Sequence, residues 1–275
     1  MLRIVRVSAE VIPLSDVIVQ PFTGRVVRQI IFKIAEKSRA HKLVTLLSSR
    51  QPFKPYSLTP LYLNGKPLYK TSESRERLLM LRRGRSYEFS FAFMFLSEDD
   101  ISVLKGFNGR VELYGSKEVE VLVSSATVHY EGGMGVPLSP NKSVMISFDT
   151  PTLLQLPKIR KRTKLNRYML FPVPSLIIYS LKQGWNTYAD EKVKLASWRA
   201  NYSLLAVDYA LKPVTAIYDE RRRIRGFTGK VIYKIMTRNK KVLTALSKLL
   251  HFAELMNIGK SRSTGFGVVR ILESP

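Results

Sequence analysis

The chain has 275 residues, 45 Lys and Arg against 21 Asp and Glu, and a formal charge of +24. Its 45% hydrophobic content suffices for one large domain or two small ones, while the cationic excess points to a polyanion, nucleic acid above all, before a surface charged only for solubility. The absence of cysteine excludes a disulfide framework, a thiol nucleophile and a zinc ribbon, and His41, His129 and His251 lie too far apart in sequence to suggest a metal cluster.

The N-terminal MLRIVRVSAEV alternates apolar and cationic residues and lacks a signal-peptide core. Nowhere does an apolar run approach the ~20 residues that span a bilayer. A cytoplasmic protein without membrane attachment is expected. Leu2 to Val11 reads as a first strand. Thr23 is placed to cap a helix whose apolar positions Val27, Ile30, Ile31 and Ile34 recur at helical spacing. AHKLVTLLSS predicts a second short helix, and Asn64-Gly65 predicts a hairpin turn. In SYEFSFAFMF the five aromatics Tyr87, Phe89, Phe91, Phe93 and Phe95 share one face, which marks core before a base-stacking surface. A helix is expected from Ser97, and strands near 111–130 complete the half.

EGGMGVPLSPNK (131–142) reads as a linker. After it come a strand at SVMISFD, a helix begun near Pro174, two long strands in 202–218 and 223–235, an amphipathic helix at KKVLTALSKLLHFAEL and a closing strand at FGVVRIL. Each half thus runs strand, helix, strand, strand, helix, strand. The order predicts an α+β protein of two tandem ferredoxin-like (RRM-like, βαββαβ) domains, residues 1–136 and 137–275.

Cations gather in three places. PKIRKRTKLNR carries Lys158, Arg160, Lys161, Arg162 and Lys164, a run that reads as a loop tracking phosphates or as solvated surface. ERRRIRG, a hairpin tip, carries Arg222, Arg223 and Arg225. Arg25 and Arg28, three apart, share an edge of the first helix. The loop NIGKSRSTGFGVVRI has its own alternatives. A nucleotide-triphosphate loop fails, because Glu254 stands where its first glycine belongs and a helix precedes it. It is either a plain helix-to-strand turn whose glycines serve positive φ, or a cradle in which Gly259, Gly265 and Gly267 let phosphates approach backbone amides while Lys260 and Arg262 neutralise them.

Helix, then G-x-G-x5-G-aromatic-G, then a final strand is similar to the signature of the CRISPR-associated endoribonucleases that cut precursor CRISPR RNA, members of the RAMP superfamily. Here the pattern is Asn257-Ile258-Gly259, then Gly265-Phe266-Gly267, with Asn in place of the first glycine. RQPFKPYSLTPL, FDTPTLLQL and RGFTGKVIYKI resemble other segments of the family in the same order, so the resemblance spans residues 2 to 271. It implies cleavage of CRISPR repeat RNA without metal or cofactor: the ribose 2′-hydroxyl attacks the adjacent phosphate, leaving a 2′,3′-cyclic phosphate and a 5′-hydroxyl. The resemblance further implies CRISPR effector subunits or a second copy of the chain as partners. Laid on the family pattern of tyrosine, histidine and lysine, Phe32 falls near the tyrosine, Ser48 at or beside the histidine, and Arg50 or Lys54 near the lysine. The usual imidazole is missing unless a shifted register brings in His41. The site then either works through Arg25, Arg28, Arg50 and Lys54 clamping the scissile phosphate, or binds repeat RNA without cutting it. A sequence-nonspecific RNA-binding protein is the remaining alternative.

Overall fold

The computed structural model describes residues 1–48, 51, 53–76, 78–95, 107–157 and 167–273. By contacts the chain divides into two compact units. The first comprises Met1–Tyr130 with Thr215–Ile224 and Ser263–Gly265; the second comprises Glu131–Val214, Arg225–Arg262 and Phe266–Pro275.

In the first unit the elements follow as β1 (Arg3–Pro13), β2 (Val17–Val19), α1 (Gly24–Lys37), α2 (His41–Ser48), β3 (Tyr56–Leu58), β4 (Tyr62–Leu63), β5 (Lys66–Pro67), β6 (Leu79–Leu81), β7 (Tyr87–Phe95), β8 (Gly109–Glu112) and β9 (Glu118–Tyr130). The main sheet runs β5-β4-β7-β1-β9-β8, with β3 also on β7. β1 pairs antiparallel with β7 in the register Val5↔Phe93, Val7↔Phe91, Ala9↔Phe89 and Val11↔Tyr87. Alternation therefore puts all of these side chains on one face. They are buried in one cluster with Val27, Ile30, Ile31 and Ile34 of α1, so the five aromatics are core and no base can stack on them. Phe91 stacks at 5.9 Å on Phe93 and at 4.9 Å on Phe107. Asn64 and Gly65, both at positive φ, make the two-residue turn between β4 and β5. The helix expected from Ser97 lies outside the described residues.

Thr23 departs from expectation. Its hydroxyl makes no cap bond to α1, because it donates to Leu68 O at 2.7 Å and accepts from Leu61 N at 3.0 Å. A buried oxygen bonded to two strand-end residues has no geometry left for the helix amides.

The second unit runs β10 (Ser143–Thr152), β11 (Leu154–Gln155), β12 (Tyr168–Met169), α3 (Pro174–Tyr188), α4 (Arg199–Ser203), β13 (Leu204–Ile217), β14 (Arg223–Ile235), α5 (Lys240–Met256) and β15 (Val269–Glu273). Its sheet has the order β13-β14-β10-β15, the βαββαβ arrangement of a ferredoxin-like domain. Pro174 opens α3, where its missing N–H is no loss, and Asn239 caps α5 by accepting from Lys241 N and Val242 N. Trp185 and Phe252, both fully buried, meet edge to face at 5.5 Å where α3 packs on α5.

The segment read as a linker is held down. Buried Glu131 accepts backbone bonds from Asp190 at 3.3 Å and Glu191 at 2.7 Å. Gly135 N donates to His251 Nδ1 at 2.9 Å, and Ser247 Oγ donates to Val136 O at 2.6 Å. Turn-forming composition here builds a packed strap, because its own carboxylate bonds the backbone at 190–191 and two α5 side chains bond its backbone. His251 has a structural role.

Candidate nucleic-acid interface

α1 begins where its first residue can only be glycine. A Cβ on Gly24 would lie 2.1 Å from Thr264 O, and one on Gly265 would lie 3.0 Å from Pro60 N. That close approach sets the helix start against residues 263–265. The next residue, Arg25, is half-buried. Its Nη1 lies 3.5 Å from Asp219 Oδ2 and its guanidinium 5.2 Å from the Tyr218 ring centroid. Arg222 reaches the same two residues: Nε donates to Asp219 Oδ2 at 2.7 Å, and the guanidinium lies 4.8 Å from the Tyr218 ring. Tyr218 in turn packs on Phe22 at 6.2 Å.

Asp219 organises this group. Besides the side-chain bond it accepts the backbone N–H of Arg222 at 2.8 Å and of Arg221 at 3.1 Å, which folds the tip between β13 and β14. The Arg222 hydrogen bond above all, reinforced by those two amides, holds the carboxyl down at about 2. At neutral pH two guanidinium groups, one carboxylate and one aromatic ring therefore form a cluster with a net positive charge. Guanidinium forks fixed in this way are suited to gripping phosphate oxygens. Arg223 and Arg225 stand exposed on β14. Sequence reasoning singled out the arginines and missed Tyr218 and Asp219; the signal was Asp219 three residues before Arg222, the spacing of a side-chain-closed turn.

The other predicted site residues gather elsewhere. Arg28 Nη2 donates to Leu47 O at 3.1 Å, and the buried Tyr56 hydroxyl donates to the same carbonyl at 3.2 Å. Lys54 Nζ lies 5.6 Å from the Tyr56 ring centroid. Arg28 and Lys54 thus meet around the end of α2, with Arg28 engaged in holding that end. His41 opens α2 and Ser48 closes it, both exposed. Seven helical steps, about 10 Å along the axis, separate them. Phe32 packs against the core. Arg50, Lys158, Arg160, Lys161, Arg162 and Lys164 lie outside the described residues.

The C-terminal loop had two readings, a plain turn or a phosphate cradle. Gly259 N donates to Ser180 Oγ at 3.1 Å, Lys260 N to Leu153 O at 3.0 Å and Gly267 N to Pro151 O at 3.2 Å, so these three amides bond within the fold. Its glycines serve close packing instead: a Cβ would lie 2.2 Å from Leu153 O at Gly259 and 1.8 Å from Ile258 O at Gly267. Arg262 was expected to face a phosphate. It is buried, its Nη1 donates to Met256 O at 2.8 Å, and burial pulls its guanidinium down to about 9. It closes the end of α5, where the last carbonyls want a cation. Lys260 alone of this pair is exposed. Asn257 adopts φ 59° and ψ 171°, a region that favours glycine, with its side-chain amide donating to Arg262 O at 3.3 Å.

Two family models match the chain: a Cas6 N-terminal domain over residues 5–129 and the CRISPR-associated endoribonuclease Cas6 over residues 146–269. The fold is similar to that of a Cas6 product complex, with 16% identity, a TM-score of 0.68 and 99% of each chain covered. It is similar to a RAMP protein binding different RNA substrates, with 15% identity, a TM-score of 0.59, and 98% of this chain and 100% of that one covered. A Cas6-related protein from Pyrococcus furiosus matches with 15% identity and a TM-score of 0.55, over 98% of this chain and 99% of that one. No curated protein sequence matches. At these identities the likeness is one of fold: α+β, with two sheet-rich units like tandem ferredoxin-like domains.

Proposed function

The chain belongs to the Cas6 family of CRISPR-associated endoribonucleases, and from that premise we propose that it binds CRISPR repeat RNA and cuts it without metal. In the reaction the 2′-oxygen forms a bond to the adjacent phosphorus and loses its proton to water. The bond from phosphorus to the 5′-oxygen breaks, and that oxygen takes a proton from water, leaving a 2′,3′-cyclic phosphate and a 5′-hydroxyl. The observation that carries this reading is the pairing of Arg25 and Arg222 over Tyr218 and Asp219. Such a cluster holds the phosphate in line and offsets the charge that grows on it, while a guanidinium does not accept the proton. Lys54 and Arg223 add cations in the first unit, and Lys260, Arg225 and the run from Lys158 to Lys164 are offered as phosphate contacts of the second. Two domains, 1–136 and 137–275, remain our division of the chain.

A second reading, a repeat-RNA-binding subunit that does not cut, is favoured by two observations. Arg28 is engaged by Leu47, and His41 stands at the far end of α2 from Ser48. Labelled repeat RNA incubated with the protein in EDTA separates the readings. One discrete cut with a cyclic-phosphate end supports the nuclease. Tight, repeat-specific binding without product supports the subunit. Equal affinity for any RNA leaves only a nonspecific RNA-binding protein.

A further inference from the structure

The second unit displays an exposed aromatic pair. Trp198 is 59% exposed and Tyr202 is 76% exposed. One helical turn apart at the start and in the body of α4, they point outward together and meet edge to face at 5.8 Å. Arg199 places its guanidinium 5.6 Å from the Trp198 ring centroid. The mount beneath them is rigid. Ala200 and Ser203 are buried, Asn201 Oδ1 accepts from Ser175 N at 2.8 Å, and Met236 N donates to Ser203 O at 2.9 Å.

The approach to this mount is cationic. Val193 and Leu195 are buried while Lys192 and Lys194 are exposed, the Lys192 ammonium donating to Ala189 O. Asn186 fixes that extended stretch by bonding Val193 N at 2.8 Å and Val193 O at 3.1 Å. From Lys192 to Val207 the sequence has three cations and no carboxylate. Exposed rings with a stacked guanidinium and exposed lysines are the composition of a single-stranded nucleic-acid platform, on which bases stack and the backbone meets cations. On a chain of charge +24, a second copy of the same surface is repelled, whereas a polyanion is drawn in.

We propose that Trp198 and Tyr202 stack on unpaired bases of RNA, a binding site separate from the Arg25 cluster. The inference rests on the RNA-processing reading and adds to it a platform for single-stranded RNA on the second unit. The two tryptophans make it directly readable, since Trp185 is fully buried and Trp198 is exposed.

The test titrates the full chain with an unstructured oligouridine and with repeat RNA, following red-edge tryptophan emission together with anisotropy of the labelled RNA. The expected result is saturable quenching that Trp198→Ala removes. Trp198→Ala with Tyr202→Ala should weaken oligouridine binding about tenfold or more, with the salt slope unchanged, because stacking neutralises no phosphate. Both side chains are exposed, and unchanged thermal melting verifies that the variant folds. If RNA binds but emission does not move and the variant binds equally well, the platform is overturned and the nuclease reading stands. If the wild-type chain binds no RNA, both fall. If the variant alters self-association while RNA affinity holds, the surface belongs to a protein partner and the inference is overturned.

Discussion

Arg25 and Asp219 lie 3.5 Å apart, nitrogen to carboxylate oxygen, although 194 positions separate them in the chain. The Asp219 carboxyl is depressed from 3.8 to about 2. A depressed carboxyl contributes stability above its unfolded value, and that contribution is lost as pH falls through the folded one. Asp219→Asn should therefore melt below wild type above pH ~4, with the gap closing as pH approaches ~2. Melting curves across that range check it; a gap that persists unchanged at the acid end would detach the pairing from stability.

Arg28→Ala removes a charged donor from Leu47 O at the end of α2. A bond of this kind contributes about 1.5–3 kcal/mol, and that much stability should be lost in denaturant titration. If α2 borders the scissile phosphate, single-turnover cleavage should slow much more than repeat-RNA affinity weakens. Equal losses in rate and affinity would make Arg28 a binding contact only.

Gly259→Ala and Gly267→Ala each put a methyl group into a backbone carbonyl, at φ +78° and +69°. Each should lose at least about 3 kcal/mol or fail to fold. Gly132→Ala, with nothing within 4 Å of the new methyl, should stay within about 0.5 kcal/mol of wild type. Urea midpoints of the three variants decide the matter.

Lys260 and Arg262, two residues apart, should respond in opposite ways. Lys260→Ala should leave stability intact and lower the slope of log affinity against log salt by about 0.7–0.9, one phosphate contact. Neutralising Lys158 to Arg162 should flatten that slope further. Arg262→Ala uncovers Met256 O and empties a buried volume, so it should melt well below wild type with its salt slope unchanged once folded. An unaltered slope in Lys260→Ala would remove that residue from the contact surface.

Local pattern carried much of the architecture. Val27, Ile30, Ile31 and Ile34 repeat at the period of a helix, and Tyr87 to Phe95 at the period of a strand. Each period marks one apolar face, and in the fold the two faces pack in one cluster. Asn64-Gly65 specifies its turn through the φ values that only such residues take easily. The same holds for the order of the main elements in the second unit.

What the sequence alone determined is most of the long helices and strands, the cationic character and the family to which the C-terminal loop points. Tertiary structure decided which arginine faces outward and which is spent within the fold. Arg25 and Arg222 meet over Tyr218 and Asp219, Arg28 closes α2 and Arg262 closes α5. The physical reason is distance along the chain. A helix or strand is encoded by neighbours a few residues away, whereas the partner of a guanidinium is whichever carbonyl, carboxylate or ring the folded backbone brings within a few ångströms, and no local spacing records that.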